Sequence, residues 1–265
     1  MMHSHIAVPE ILTDLAARGQ LCFRLQEIEQ ATGSSVSAIR ASLRRLQKKK
    51  VITMPARGFY VIVPPEFRAL GCLPAEQFIP ELMNGAGEDY YAGLLTASEY
   101  HGAAHQRPQA FQVVVAKPRR PLRCGKVRVE FVYRKNAARI PVQSRNTPAG
   151  ILNVSSPEAT AFDLVGYPRR CAGLDNVATV ISELAEKIES ARLREAAVFS
   201  PVAWAQRLGY LLDAVGAGEK AGAIFDSINE TSPVPVPLVP SRELKGARLD
   251  KRWRILVNAN VEPDR

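Results

Sequence analysis

Between Ser35 and Lys50 the chain reads SVSAIRASLRRLQKKK, with six cations and no acid. Val36, Ile39, Leu43 and Leu46 recur at helical spacing, so one face of a helix is apolar and the opposite face is basic. A helix that needs only to be soluble mixes its charges, whereas a one-sign face suits a polyanion. The spacing places Ser35, Ser37 and Arg40 near the helix start, where a groove-bound helix meets base edges. Arg44 and Lys48 follow one and two turns on and would reach phosphates. Ser34, which competes with Ser35 to cap the helix, and Arg45 complete the candidate DNA-facing set. Arg57 lies slightly downstream, next to Gly58, suited to a phosphate or the minor groove.

Other residue patterns carry weaker chemistry. His101 and His105 in HGAAHQRP are four apart, a spacing that can put two imidazoles on one helical face. No acidic or thiol ligand lies at a telling distance, and Gly102 weakens a helix there, so no metal site is expected. Glu130 sits in a strand-like run as a nuclease carboxylate would. The FVYRK that follows lacks an E-x-K spacing, and Asp89 makes only a loose pair with it. Asp163 in EATAFDLV reads as a cap or ion-pair partner. Phosphate loops, nucleophile elbows and dinucleotide-binding glycine patterns are absent from the sequence. No catalytic residue and no cofactor is assigned.

The elements that must hold the basic helix occupy the first 65 residues. VPEILTDLAARG predicts a helix with Ile11, Leu12 and Leu15 inward, ending at Gly19. FRLQEIEQATG predicts a second, closing at Thr32–Gly33, and the basic helix is the third. VITM and GFYVIV, joined through Gly58, predict a hairpin, and Pro64–Pro65 close the unit. Three helices and a hairpin describe a winged helix-turn-helix, whose third helix enters the major groove. Residues 1–65 hold nine Lys/Arg against four Asp/Glu. From residue 66 to 265 the texture changes to a larger mixed α/β domain with a helical C-terminal part. YYAGLLTASEYHG reads as a helix, and AFQVVVAK and KVRVEFVYR read as strands. SSPEATAFDLVGYP starts a helix at Ser156–Pro157, and helical patterns fill residues 175–230. SPVPVPLVP reads as extended, and WRILVN as a strand returning to the sheet. The fold class is therefore α/β, or α+β.

The composition is globular, with 46% hydrophobic residues and a formal net charge of +9. No apolar run approaches the roughly 18 residues that a membrane span requires, and the N-terminus shows no export signal. The four cysteines are widely spaced and lack C-x-x-C patterns, which predicts free thiols in a reducing cytoplasm. Residues 117–145 carry ten Lys/Arg against Glu130 alone. Arg119, Arg120 and Arg123 in a Pro-flanked loop, with Lys126 and Arg128 on the following strand, form a candidate second polyanion surface. In that strand Val127, Val129, Phe131 and Tyr133 are expected on one face and Lys126, Arg128, Glu130 and Val132 on the other. Exposed loop and strand residues would give the same pattern.

YYAGLLTASEYHGAAHQRPQAFQVVV, ILNVSSPEATAFDLVGYP and the terminal DKRWRILVN, placed after a winged helix, together resemble AbiEi-type antitoxins. These are transcriptional regulators of type IV toxin–antitoxin and abortive-infection (phage-defence) systems. The resemblance covers nearly the whole chain. It implies an N-terminal domain that binds inverted repeats of double-stranded DNA in its own promoter and represses the operon. It also implies a C-terminal domain that counters a nucleotidyltransferase-like toxin without a stable complex. It supplies no catalytic residue, so the protein is expected to be a non-enzyme. The alternative is a nuclease or other nucleic-acid enzyme targeted by its winged helix.

Overall fold

The computed structural model describes residues 6–103 and 108–262. Helix α1 (Val8–Ala17) turns Val8 and Leu12 inward, and Gly19 follows at φ +77°. Strand β1 (Cys22–Arg24) leads directly into α2 (Leu25–Thr32), where the Glu27 carboxylate accepts from the Arg24 N–H at 3.1 Å. That bond satisfies one of the donors exposed at a helix start. Gly33, left-handed at φ +61°, ends α2 at the expected place. Helix α3 (Val36–Lys48) begins at Ser35, whose Oγ accepts from the Ala38 N–H.

The hairpin strands β2 (Ile52–Ala56) and β3 (Phe59–Ile62) follow, and β1 pairs with β3 to give the antiparallel order β1-β3-β2. Strand β1 was not expected, because Phe23 and Arg24 read as the start of the second helix. Leu12, Phe23, Ile28, Ile39, Leu43, Ile52 and Ile62 form one core shared by the three helices and the sheet. Val36 does not join it. It occupies the first helical turn beyond that cluster and is 41% exposed, so the apolar face of α3 is one residue shorter than its periodicity suggests.

The next elements are α4 (Ala75–Asn84), β4 (Tyr90–Ala92), α5 (Leu94–Tyr100), β5 (Phe111–Val115), β6 (Leu122–Cys124) and β7 (Val127–Tyr133). Strands β8 (Val142–Thr147) and β9 (Gly150–Ser155) precede the helices α6 (Pro157–Gly166), α7 (Leu174–Leu184), α8 (Ser190–Val198), α9 (Val202–Ala214) and α10 (Gly218–Glu230). Three short strands, β10 (Val236–Pro237), β11 (Arg248–Asp250) and β12 (Ile255–Val257), close the described chain. Strands β4 to β9 form a mixed sheet in the order β6-β7-β5-β4-β9-β8. Thus the chain has a mixed α/β architecture, with helices at the N-terminus and a larger sheet beyond them.

Two compact units share these elements. The first comprises residues 1–90, 109–133 and 144–153, and the second residues 91–108, 134–143 and 154–265. In the first, β7 pairs in parallel with β5 and antiparallel with β6. In the second, α6 is buried from Pro157 to Val165, and Ser156 caps it by accepting from the Ala159 N–H at 3.2 Å. Glu158 on that helix accepts from the Glu189 N–H at 3.0 Å and so closes the start of α8.

Several expectations change. Tyr90–Ala92 is a strand, and the helix starts only at Leu94, which itself takes a positive φ. Val132 is buried and Tyr133 is 48% exposed, the reverse of the alternation expected for β7. Phe131 and Val132 lie on opposite faces and both are buried, so the sheet is covered on both sides there and polarity no longer alternates. The WRILVN strand does not rejoin the large sheet. It becomes β12, the middle strand of the separate order β10-β12-β11. All four cysteines are free and buried.

Candidate nucleic-acid interface

At roughly 100° per residue, Ile39 and Leu43 anchor α3 while Ser37, Arg40, Arg44 and Lys48 fall in one stripe on the far side. All four are exposed, as is Ser35, and Ser34 is half-buried. Ser35 and Ser37 share a hydrogen bond at 3.0 Å, so the capping hydroxyl is partly engaged before any ligand arrives. Arg45 is exposed on a flank of the helix instead, in a groove that also takes in Ala7, Pro9 and Lys49. Among the described residues none of Arg40, Arg44, Arg45 and Lys48 has a carboxylate partner, whereas Arg18 on α1 pairs with Asp14 at 2.7 Å. Arg57 and Gly58 make the turn between β2 and β3. Gly58 stands at φ +75°, where a side chain is strained, and Arg57 is exposed at the tip.

The second basic segment divides. Arg119 is half-buried and already paired: its Nε and Nη2 donate to the two Glu88 oxygens at 2.9 and 3.0 Å, and its guanidinium lies over the Phe131 ring. That guanidinium holds the Glu88 carboxyl below its usual range. Arg134 is not at the surface at all. Its guanidinium is buried against the Asp163 carboxylate, stacks over Trp204 and donates to the Phe199 carbonyl. Tyr91 donates to the other Asp163 oxygen at 2.9 Å. Asp163 is thus the ion-pair partner that its setting on a buried helix calls for.

Arg120, Arg123, Lys126 and Arg128 remain exposed. Arg123 belongs to β6 rather than to a loop, and in the β6–β7 register it stands directly opposite Arg128. Like charges facing across a ladder oppose pairing, so this arrangement works against the hairpin that carries it. Within the same compact unit β6 lies beside the β2 strand. Thr53 Oγ1 and Cys124 Sγ are 3.0 Å apart, and Pro55 and Ala56 share a groove with Arg120 and Arg123. Lys50, just past α3, shares another groove with Lys126. The two basic segments, about 70 residues apart in sequence, therefore adjoin through the hairpin. Neither the short β6 nor its placement beside β2 can be read from local periodicity, which needs longer runs.

His101 is buried, with Nε2 2.7 Å from the Ser155 carbonyl oxygen, a structural contact. His105 lies outside the described residues. Among the described residues no three His, Cys, Asp or Glu side chains gather as metal ligands would.

Two family models match the chain. Residues 10–63 match the AbiEi antitoxin transcriptional regulator, and residues 91–214 match the AbiEi antitoxin C-terminal domain. The chain belongs to the AbiEi family. The solved structures add the fold. The crystal structure of RV2827C protein from Mycobacterium tuberculosis aligns with a TM-score of 0.66 at 17% identity, over 92% of this AbiEi chain and 89% of the other. No curated protein matches the chain. None of the described helices is long and apolar enough to cross a membrane.

Proposed function

We propose that this AbiEi chain is a DNA-binding antitoxin that represses its own type IV toxin–antitoxin operon, in the cytoplasm and in a phage-defence (abortive-infection) setting. Residues 1–65 act as a winged helix-turn-helix, with α3 in the major groove and the Arg57 turn as the wing. Residues 66–265 act as the antitoxin domain and oppose a nucleotidyltransferase-like toxin without a stable complex. The observation that carries the DNA reading is the exposed stripe of Ser37, Arg40, Arg44 and Lys48. It lies on a helix locked from behind by Ile39 and Leu43, with no carboxylate to neutralise it among the described residues. Ser35, Ser37 and Arg40 serve base edges, with Ser34 beside them at the helix start, while Arg44, Arg45, Lys48 and Arg57 serve phosphates. Arg120, Arg123, Lys126 and Arg128 extend this surface beyond the wing. Arg119 helps by fixing, through Glu88, the segment that leads into β6. The reading requires neither a metal nor a cofactor and includes no catalytic residue.

Nuclease footprinting on the DNA upstream of the chain's own gene tests the proposal. The expected result is protection of two half-sites in inverted orientation, with affinity that falls steeply with salt as neutralised phosphates release counterions. Absence of any protected site there, at protein concentrations that coat random DNA, would remove the autorepressor role.

A further inference from the structure

The second compact unit contains a cavity of about 920 Å³ that the DNA reading does not use. It is bordered by the turn after α6, the first turn of α7, Arg207 of α9 and the segments around Val239 and Ala259. Four arginines line it, Arg169, Arg170, Arg207 and Arg242, against a single carboxylate, Asp175. That carboxylate is engaged, accepting from the Glu262 N–H at 3.1 Å. The imbalance is local, because residues 154–265 as a whole hold fourteen Lys/Arg against fifteen Asp/Glu.

Arg207 is the informative member. Its Nε donates to the Pro237 carbonyl at 3.0 Å, and it has no carboxylate partner among the described residues. It is half-buried, and that burial pushes its pKa down with no opposing charge. A desolvated guanidinium without a counter-charge is costly unless an anion completes it. Arg169 and Arg242 also lack carboxylate partners among the described residues. The first turn of α7 adds backbone donors: among the described residues no side chain caps them, since Gly173 at the cap has none to accept with, and helix-start donors of this kind suit an anion. The rest of the lining is apolar and includes Val165, Tyr167, Pro168, Leu174 and Pro240. Tyr167 is held by an edge contact with Trp204, their ring centres 5.2 Å apart. The volume suits a ligand of nucleotide size.

We propose that this cavity binds a nucleoside polyphosphate, its phosphates held by Arg169, Arg207 and Arg242 and its nucleoside resting on the apolar wall around Tyr167 and Pro168. Guanidinium forks bind phosphate oxygens in pairs, and a purine or pyrimidine supplies the flat apolar part that inorganic anions lack. The site is built wholly from residues of the second compact unit, shares no residue with the DNA-binding stripe and does not depend on it.

Titration calorimetry on the full chain tests this with three probes: ATP, inorganic tripolyphosphate and adenosine. ATP should bind saturably, one per chain, at about 0.15 M salt, and adenosine should not. Arg169→Gln and Arg207→Gln should each weaken ATP about tenfold or more, whereas Arg40→Gln on α3 should bind it like wild type. Arg169 is exposed, so its variant carries the test should Arg207→Gln fail to fold. Lack of saturable ATP binding, or equal affinity in Arg169→Gln, overturns the site. Tripolyphosphate binding as tightly as ATP overturns the nucleoside part. A loss in Arg40→Gln alone would mean that ATP sits on the DNA surface. Footprints of the Arg169 and Arg207 variants should be unchanged, which separates this site from the repressor function.

Discussion

Arg40 and Lys48 lie on one stripe of α3 but at different depths in the proposed groove, and they should behave differently when truncated. Arg40→Ala should cost about 1–3 kcal/mol on the operator and relax its specificity, as loss of a base contact does. Lys48→Ala should weaken operator and random DNA alike and reduce the salt slope by about one. Gel-shift titrations on both DNAs over a salt series distinguish the two, and equal losses for Arg40→Ala would move it off the bases. Glu88 is a second residue with a measurable signature. Its folded pKa is depressed by Arg119, so the stabilisation is present above the ordinary carboxylate range and is lost as pH falls through the lowered value. Glu88→Gln should therefore cost about 1 kcal/mol near neutral pH, and the gap to wild type should close in acid. Urea melts of both proteins at neutral and acidic pH read the difference directly, and a gap that widens in acid would contradict the pairing.

Two turns show how the same substitution differs by element. Gly58 closes the β2–β3 turn at φ +75° with nothing within 4 Å of an added Cβ. Gly58→Ala should cost only the left-handed strain, about 1 kcal/mol, and leave the wing in place. Gly125 closes the β6–β7 turn at φ +57°, where a Cβ would stand 2.1 Å from the Leu70 carbonyl oxygen and 2.9 Å from Gly71. The Lys126 N–H donates to that same carbonyl at 2.7 Å, so neither side can yield without losing the bond. Gly125→Ala should destabilise by several times the Gly58→Ala effect, roughly 3 kcal/mol or more, and displace the hairpin bearing Arg123 and Arg128. Comparing the two melting curves, together with operator affinity, checks this. Similar melting temperatures would contradict the crowding of the β6–β7 turn against Leu70 and Gly71.

At the scale of the molecule, the core formed by Val8, Phe23, Ile39, Leu43, Ile52 and Tyr60 is drawn entirely from residues 1–65. A fragment of that length should fold, but with modest stability, since so small a domain buries little surface. It loses the contact of Thr53 with Cys124 and the basic residues of β6 and β7. The fragment should bind the operator more weakly than the full chain, with a shallower salt slope, and should fail to protect cells that express the toxin. Protection by residues 1–65 alone would reverse the division of labour proposed for the two parts.

The sequence by itself determined the helices and hairpin of the first 65 residues, the caps at Ser35 and Ser156 and the stop at Gly33, because each rests on residues within one or two turns of one another. The same locality makes the basic stripe of α3 legible. Tertiary structure alone decided which charges remain at the surface. Arg134 and Asp163 are 29 positions apart and meet in a buried pair with Tyr91, so a run that reads as continuously basic loses a member to the interior. Arg119 is likewise taken up by Glu88 from 31 positions away. Only the pairing of β6 with β7 sets Arg123 against Arg128, and only the packing of β6 beside β2 joins that charge to the wing. The arginines at positions 169, 207 and 242 share a cavity for the same reason. Charge count is a property of sequence, but whether a charge is spent on a carboxylate or left for a ligand depends on contacts that local periodicity does not encode.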